Sequence, residues 1–352
     1  MTWDVALILG IDGLANGAVY LLAGLGLVLI FSVTRVVFVP FGDVAAFSAL
    51  GLAAFEAGRL PPTVGLVAML ALLAVIAEVW SLVRRGETAR IPRAVLGWGV
   101  LPLVPCAVAW AFAGQQAVPH LLLVVLAVLL VVPITPLVAR VALQPIADAS
   151  VLVLLIASLA LHFLLSGLGL LFFGPEGFRT APLASASLTL PGGLPVSGQV
   201  MLMIASAVVL SGLFFLAFER TVVGKALRAT AVNRIGARLV GIRPARTALL
   251  AYTFASLLAG LIGVLIAPAM TMYYDSGFLI GLKAFVAAII GGLVSYPLTA
   301  VGALAVGVVE SFGSFWSGAL KDVIVFSLLI PALLLRSALV RHAEEETEEI
   351  DA

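Results

Sequence analysis

The chain is predicted to be an all-α, polytopic transmembrane bundle, and three observations carry the prediction. Hydrophobic residues make up 63% of its 352 residues and charged ones only 11%, whereas a soluble domain is roughly a quarter charged. The apolar residues recur in runs close to the ~20 residues that a helix needs to cross the hydrocarbon core, without the ~10-residue alternation of a membrane β-barrel. Between the runs lie short segments in which arginine gathers, the mark of cytoplasmic loops.

About eleven runs can be read in order, over 5–31, 36–55, 62–83, 94–113, 119–139, 150–173, 200–218, 248–270, 278–294, 300–316 and 321–338. The start, MTWDVALILG, lacks a basic n-region and reads as the approach to a first span, not a cleaved signal. The first run carries Gly10, Gly13, Gly17, Gly24 and Gly26, which allow a break, a tilt or a close helix contact; Gly13 and Gly17 form a GxxxG pair. The runs at 278–294 and 300–316 are short and bounded by Gly291, Gly292 and Pro297, so tilt or partial crossing is open for them. Cys106, the single cysteine, lies in an apolar run and is expected to be a buried, inert thiol.

Orientation follows from the arginines. The segment 84–93 holds Arg84, Arg85, Arg90 and Arg93, and 219–247 holds seven basic residues against the one acid Glu219. Placing both inside leaves four crossings between them, puts Arg140 inside, the N-terminus outside and the C-terminus inside. The tail ends in EEETEEID, an acidic stretch of low hydrophobicity. The long outer segment is 174–199, where SLTL, PGG and LPVSG predict a small β-hairpin.

The segment 219–247, ERTVVGKALRATAVNRIGARLVGIRPART, is patterned as well as basic. Ala226, Leu227, Ala229, Thr230, Ala231 and Val232 suit a short helix with a small-residue surface, Gly236 and Gly241 punctuate it, and Pro244 marks a restart. Such a helix is either an orientation signal or a docking element. It is not a nucleotide site: Glu219 stands where the P-loop needs its first Gly, and Ala226 where Ser or Thr must hold magnesium.

Other chemistry is excluded in the same way. A net charge of +1 gives no basic field for nucleic acid. His120, His162 and His342 show no metal-ligand spacing, so no metal site is expected, and no Ser/His/Asp arrangement marks a catalytic residue. The polar residues in or near the spans are Asn16, Asp43, Glu78, His162, Lys283, Glu310, Lys321 and Asp322. Intramembrane charge is functional by default, with plainer readings beside it. These place Asp43 near a surface, let Lys283 snorkel outward, pair Lys321 with Asp322 locally, and make Glu310 a structural hydrogen-bond partner.

GKALRATAVNRIGARLVGIRPARTALLAYTFASLLAGLIGVL, then GLKAFVAAIIGGLVSYPLTAVGALAVGVVES and KDVIVFSLLI, resemble the permeases of branched-chain amino acid ABC importers, in particular the LivH-type subunit of the pair. The likeness runs through 219–336 and persists more weakly at 16–49 and 143–161. It implies a single permease domain over 1–340, with 219–247 as cytoplasmic coupling segment and 174–199 as periplasmic loop, followed by a cytoplasmic tail at 341–352. It also implies an inner-membrane location and a set of partners: a second, LivM-like permease, two ABC ATPase subunits and a periplasmic substrate-binding protein. ATP and Mg would be bound by the ATPases, with no cofactor and no enzyme activity in this chain. Gly224, Lys225, Ala226, Arg228, Ala229 and Gly241 match the family's coupling pattern.

Three departures from the family qualify the likeness. VPFGDV keeps Gly42 and Asp43 but has Phe38 and Phe41 where the family has Asn and His. These aromatics either line a less polar path with Asn16, Asp43, Lys283 and Glu310, or pack against lipid or an inserted helix pair. That pair is suggested by seven runs before the coupling segment where the family has about five, with runs three and four as the insertion. The tail also lacks the family's Arg-Pro-x-Gly-Leu ending. Substrates other than branched-chain amino acids (urea, amides, small organic acids) stay open. So do an ion-coupled transporter or a channel subunit, though a transporter of that class predicts inverted repeats and midplane ion ligands.

Overall fold

The structure, a computed structural model, describes residues 3–115, 118–189 and 195–334. It is helical almost throughout. The first helix, α1, runs Trp3–Thr34 without a break. It is followed by α2 Phe41–Glu56, α3 Thr63–Arg84, α4 Thr88–Phe112, α5 His120–Ile146 and α6 Val151–Phe173. After the outer segment come α7 Gly198–Arg220, two short helices α8 Val222–Val232 and α9 Arg234–Leu239, then α10 Pro244–Ile266, α11 Ser276–Ile290, α12 Tyr296–Trp316 and α13 Lys321–Ser327. Among the described residues eight helices are long and apolar enough to cross a membrane.

The difference from eleven runs has local causes. The run at 36–55 yields only the 16 residues of α2, because Pro40 disfavours helix in the residue before it and the chain from Arg35 to Pro40 stays non-helical. Arg35 turns with φ 63, and the segment then re-enters the bundle, with Val36, Val37 and Phe38 buried. Irregular backbone at this depth must find partners inside the protein. The Val39 N–H donates to Ser158 Oγ at 2.9 Å and the Val36 N–H to Thr34 Oγ1 at 3.2 Å. The run at 278–294 yields the 15-residue α11, stopped at the Gly291–Gly292 turn; the run at 321–338 yields the seven-residue α13, interrupted at Leu328, and its residues 335–338 lie outside the described ones. The tail at 341–352 lies outside the described residues.

Burial separates a core from a periphery. The apolar window of α1 is 83% buried and that of α10 67%, whereas α4 and α7 bury only 22% and 11% of theirs. The core therefore consists of α1, α2, α10, α11 and α12, with the inner part of α5. Small residues let these helices touch backbone to backbone. The GxxxG pair of α1 meets α12: a Cβ on Gly13 would lie 2.7 Å from Val308 Cα, and one on Gly307 would lie 2.2 Å from Gly17 N. Where α11 crosses the start of α2, a Cβ on Gly42 would lie 1.8 Å from the Gly277 carbonyl oxygen. α3 and α4 pack on each other and on α5.

The two ends of the bundle differ. At one end Arg35 lies beside Phe218, Arg228 and Tyr296, near α8. At the other, Glu56 accepts from the Ala181 N–H at 3.1 Å and lies 2.7 Å from His120 Nε2, and Arg179 donates to the Pro268 and Ala269 carbonyls. The predicted hairpin is at this second end: β1 Ser187–Thr189 pairs antiparallel with β2 Pro195–Ser197. Ser197 then caps α7 by accepting from the Val200 N–H.

Candidate translocation and coupling sites

Three groups of residues are candidates for function. The first surrounds the start of α2. Asp43, in its first turn, is fully buried, and its Oδ2 lies 2.7 Å from Nδ1 of His162 on α6. Phe278 of α11 stacks on that imidazole at 4.4 Å and 20°. The other carboxylate oxygen, Oδ1, is buried with no hydrogen-bond partner among the described residues. His162 is halfway along α6, so the pair sits near mid-depth. Asp43 is thus not near a surface, and a helix N-terminus with its positive dipole end lies inside the bundle. Phe38 and Phe41 are equally buried, but not against lipid or the α3–α4 pair. Phe38 meets Tyr252 of α10 edge-on at 5.9 Å, and the Phe41 ring lies over Gly26 of α1.

The second group gathers four helices. Glu310 on α12 accepts from Tyr20 Oη on α1 and from Lys283 Nζ on α11, both at 2.5 Å. Asp322 Oδ1 on α13 lies 2.8 Å from the same ammonium, off the hydrogen-bond direction. Lys283 is therefore a buried ion-pair partner and does not snorkel, and Asp322 pairs with it instead of with Lys321. Above this cluster, at the hairpin end, opens a cavity of about 690 Å³ lined by Asp12, Asn16, Arg179, Gln199, Glu310 and Lys321, among others. Carboxylates and cations both face it. Of the residues singled out in the sequence, Asn16, Lys283 and Glu310 come together here, while Phe38, Phe41 and Asp43 belong to the first group.

The third group is the segment from Glu219. Thr221 caps α8, its Oγ1 accepting from the Gly224 N–H at 3.0 Å, and Asn233 caps α9, accepting from Ile235 and Gly236 N–H at 3.0 and 2.9 Å. Gly224 faces inward: a Cβ there would lie 2.4 Å from the Ala217 carbonyl oxygen, so this glycine seats α8 on the end of α7. Leu227 packs with Leu29, Val33, Phe218 and Ala251. Lys225 and Arg228 are exposed, Ala226 and Ala229 half-buried, and Arg228 pairs with Glu219 at 2.7 Å on the surface. Gly241 takes φ 86, a left-handed turn that suits glycine and lets Pro244 start α10. The segment's outer surface is not made of small residues. Val222 (83% exposed), Val232 (80%), Ile235 (72%) and Leu239 (84%) stand out on it, set among arginines.

Sequence reasoning missed the Asp43–His162 pair, the roles of Tyr20 and Asp322, and these exposed apolar residues. His162 is visible as an ionisable residue in mid-run, but its partner is 119 residues away. The exposed apolar residues lie within 219–247, interleaved with alanines and arginines, so composition alone does not separate them from a packed face.

A bundle of this kind, with eight long apolar helices among the described residues, polar clusters inside it and a patterned basic segment at one end, defines a multi-pass helical membrane protein. Residues 94–333 match the family described as "Branched-chain amino acid transport system / permease component", and the chain belongs to that family. The match begins inside α4 and takes in everything after it up to residue 333. The high-affinity branched-chain amino acid transport system permease protein LivH of Salmonella typhimurium is 29% identical over 204 residues, 56% of this chain and 66% of that protein. LivH of Escherichia coli K12 gives the same figures. The corresponding BraD of Pseudomonas aeruginosa is 35% identical over 140 residues, 39% of this chain and 45% of that protein. The chain thus spans just under two thirds of the LivH relatives and less than half of BraD. No solved structure matches it.

Proposed function

We propose that this chain is one transmembrane half of an ATP-driven importer that carries branched-chain or related amino acids across the inner membrane. The observation that carries the proposal is the set of exposed apolar side chains on α8 and α9, with Ile235 and Leu239 one turn apart on α9, held by two side-chain caps on an arginine-rich segment. An apolar patch rimmed by polar residues on an aqueous surface marks an interaction site. In this reading two ABC ATPase subunits bind ATP and Mg and seat against this apolar set. Gly224 fixes the angle of α8, and closure of the ATPases moves the helices as rigid bodies. A second, LivM-like permease completes the path, and a periplasmic binding protein delivers substrate at the hairpin end. The cavity there suits a zwitterion: Asp12 and Glu310 face an ammonium, Arg179 and Lys321 a carboxylate. The chain itself performs no catalysis.

The substrate is tested in vesicles holding this chain, its second permease and the ATPases, with the binding protein outside. Labelled leucine is expected to accumulate and unlabelled isoleucine and valine to compete, while urea, acetamide and acetate do not. Competition by urea or acetamide and none by valine would overturn the amino acid reading.

The same reading sets the arginine-rich end and the C-terminus in the cytoplasm and the N-terminus outside. With Cys106→Ala as background, Ser185→Cys is expected to react in intact cells with an impermeant thiol reagent, and Ala89→Cys only after permeabilisation. The reverse pattern would invert the topology.

A further inference from the structure

A groove of about 400 Å³ lies between α4, α5 and α10, lined by none of the residues of the three groups described above. Its walls include Gly97, Trp98 and Leu101 of α4, Pro133 and Pro136 of α5, and Thr253 of α10. The sequence keeps it open. Five of its wall positions are glycine, which has no side chain, or proline, whose ring is compact: Gly97, Pro102, Pro105, Pro133 and Pro136. A Cβ built on Gly97 meets nothing within 4 Å. Gly97 and Trp98 lie in the π-helical stretch Leu96–Val100; such bulges are frequent at functional sites.

The three helices carry arginines toward the same end. Arg93 precedes Gly97 by about one turn, Arg140 follows Pro136 by about one turn, and Arg246 precedes Leu249 by three residues. The guanidinium of Arg140 lies 5.8 Å from the ring of Trp98 in the groove wall, which fixes the charged end of the groove directly. Arg140 is neutralised by Glu78, and Glu87 is taken up by Arg90. Arg93 and Arg246 are exposed and make no ion pair among the described residues. The site is thus an apolar slot in the hydrocarbon region with uncompensated positive charge at its mouth. Basic pockets between membrane helices bind anionic head groups.

We propose that this groove holds one acyl chain of an anionic phospholipid of the surrounding bilayer, with the phosphate against Arg93 and Arg246. A partner helix is the wrong size: at ~10–12 Å across and ~5.4 Å per turn it fills roughly 400–600 Å³ per turn, so a groove of about 400 Å³ takes no more than about one turn of it. A single hydrocarbon chain fits. The lipid would wedge helices α3 and α4 against the core and tie α10, which leads directly from the coupling segment, to the charge of the inner leaflet.

The test uses the full chain reconstituted in phosphatidylcholine vesicles and spin-labelled phosphatidylglycerol or phosphatidylcholine as probe. The immobilised fraction is expected to favour phosphatidylglycerol on the order of tenfold, from two arginines acting near the head group. Gly97→Phe fills the groove from α4, and Thr253→Phe fills it independently from α10; each is expected to remove the immobilised component at unchanged thermal stability. Arg93→Gln with Arg246→Gln is expected to keep the immobilised chain and erase the preference. An immobilised fraction that ignores both filling variants, or a preference that survives loss of both arginines, overturns the proposal. So does loss of the probe when the second permease is added, which would show that protein covers this face.

Discussion

Lys283→Met is expected to destabilise the chain by about 3–5 kcal/mol, the cost of removing one partner from a buried ion pair. The ammonium lies between Glu310 and Asp322, and Glu310 is also held by Tyr20. Without it, Glu310 is left charged and mostly buried among α1, α11 and α12, with only the edge of its side chain on the cavity. The cost belongs to the unpaired charge and not to the pair itself, because apolar replacements of whole buried pairs are often neutral or better. The double variant Lys283→Met with Glu310→Gln should therefore recover most of the loss: the amide oxygen still accepts from Tyr20, and Asp322 is partly exposed. Thermal inactivation of the purified protein in one detergent reads both. A single variant as stable as the parent would show that the cluster is hydrated and open to the cavity above it.

The second large effect is expected at α9. Ile235→Asp with Leu239→Asp should leave the fold intact, since both side chains are mostly exposed and surface changes usually stay within ~0.5 kcal/mol. The same pair should abolish retention of the ATPase subunits on the purified permease. Central apolar anchors of an interface cost ~2 kcal/mol or more each when lost, so two together weaken binding roughly a thousandfold. Undiminished retention would mean that this apolar set is covered by something else and that the segment's arginines serve orientation alone.

Much of this architecture was legible in the residues. Apolar runs gave the helices, SLTL and LPVSG gave the hairpin, and the glycines of the first run marked a close contact, which proves to be with α12 at Gly307. Hydropathy could not show that Val36 to Pro40 would be buried yet non-helical, since an apolar stretch looks the same in either state; the clue was Pro40. Nor could it assign partners to charges. Lys283 reads as a snorkelling residue until α12 and α13 bring Glu310 and Asp322 to it. Asp43 reads as a loop-side acid until α6 brings His162 from the far side of the chain. Periodicity finds which face of a helix is apolar, but contacts between distant helices decide which polar group meets which.

The central claim is that ATP hydrolysed in partner subunits drives transport through α8 and α9. Its most direct test is uptake of labelled leucine by the complete assembly in vesicles, with ATP enclosed and proton and sodium gradients collapsed by ionophores. Uptake is expected to persist in the presence of ATP, to stop without it, and to stop in the Ile235→Asp, Leu239→Asp variant although the chain remains in the membrane. Uptake that follows an imposed proton or sodium gradient and ignores ATP would contradict the account.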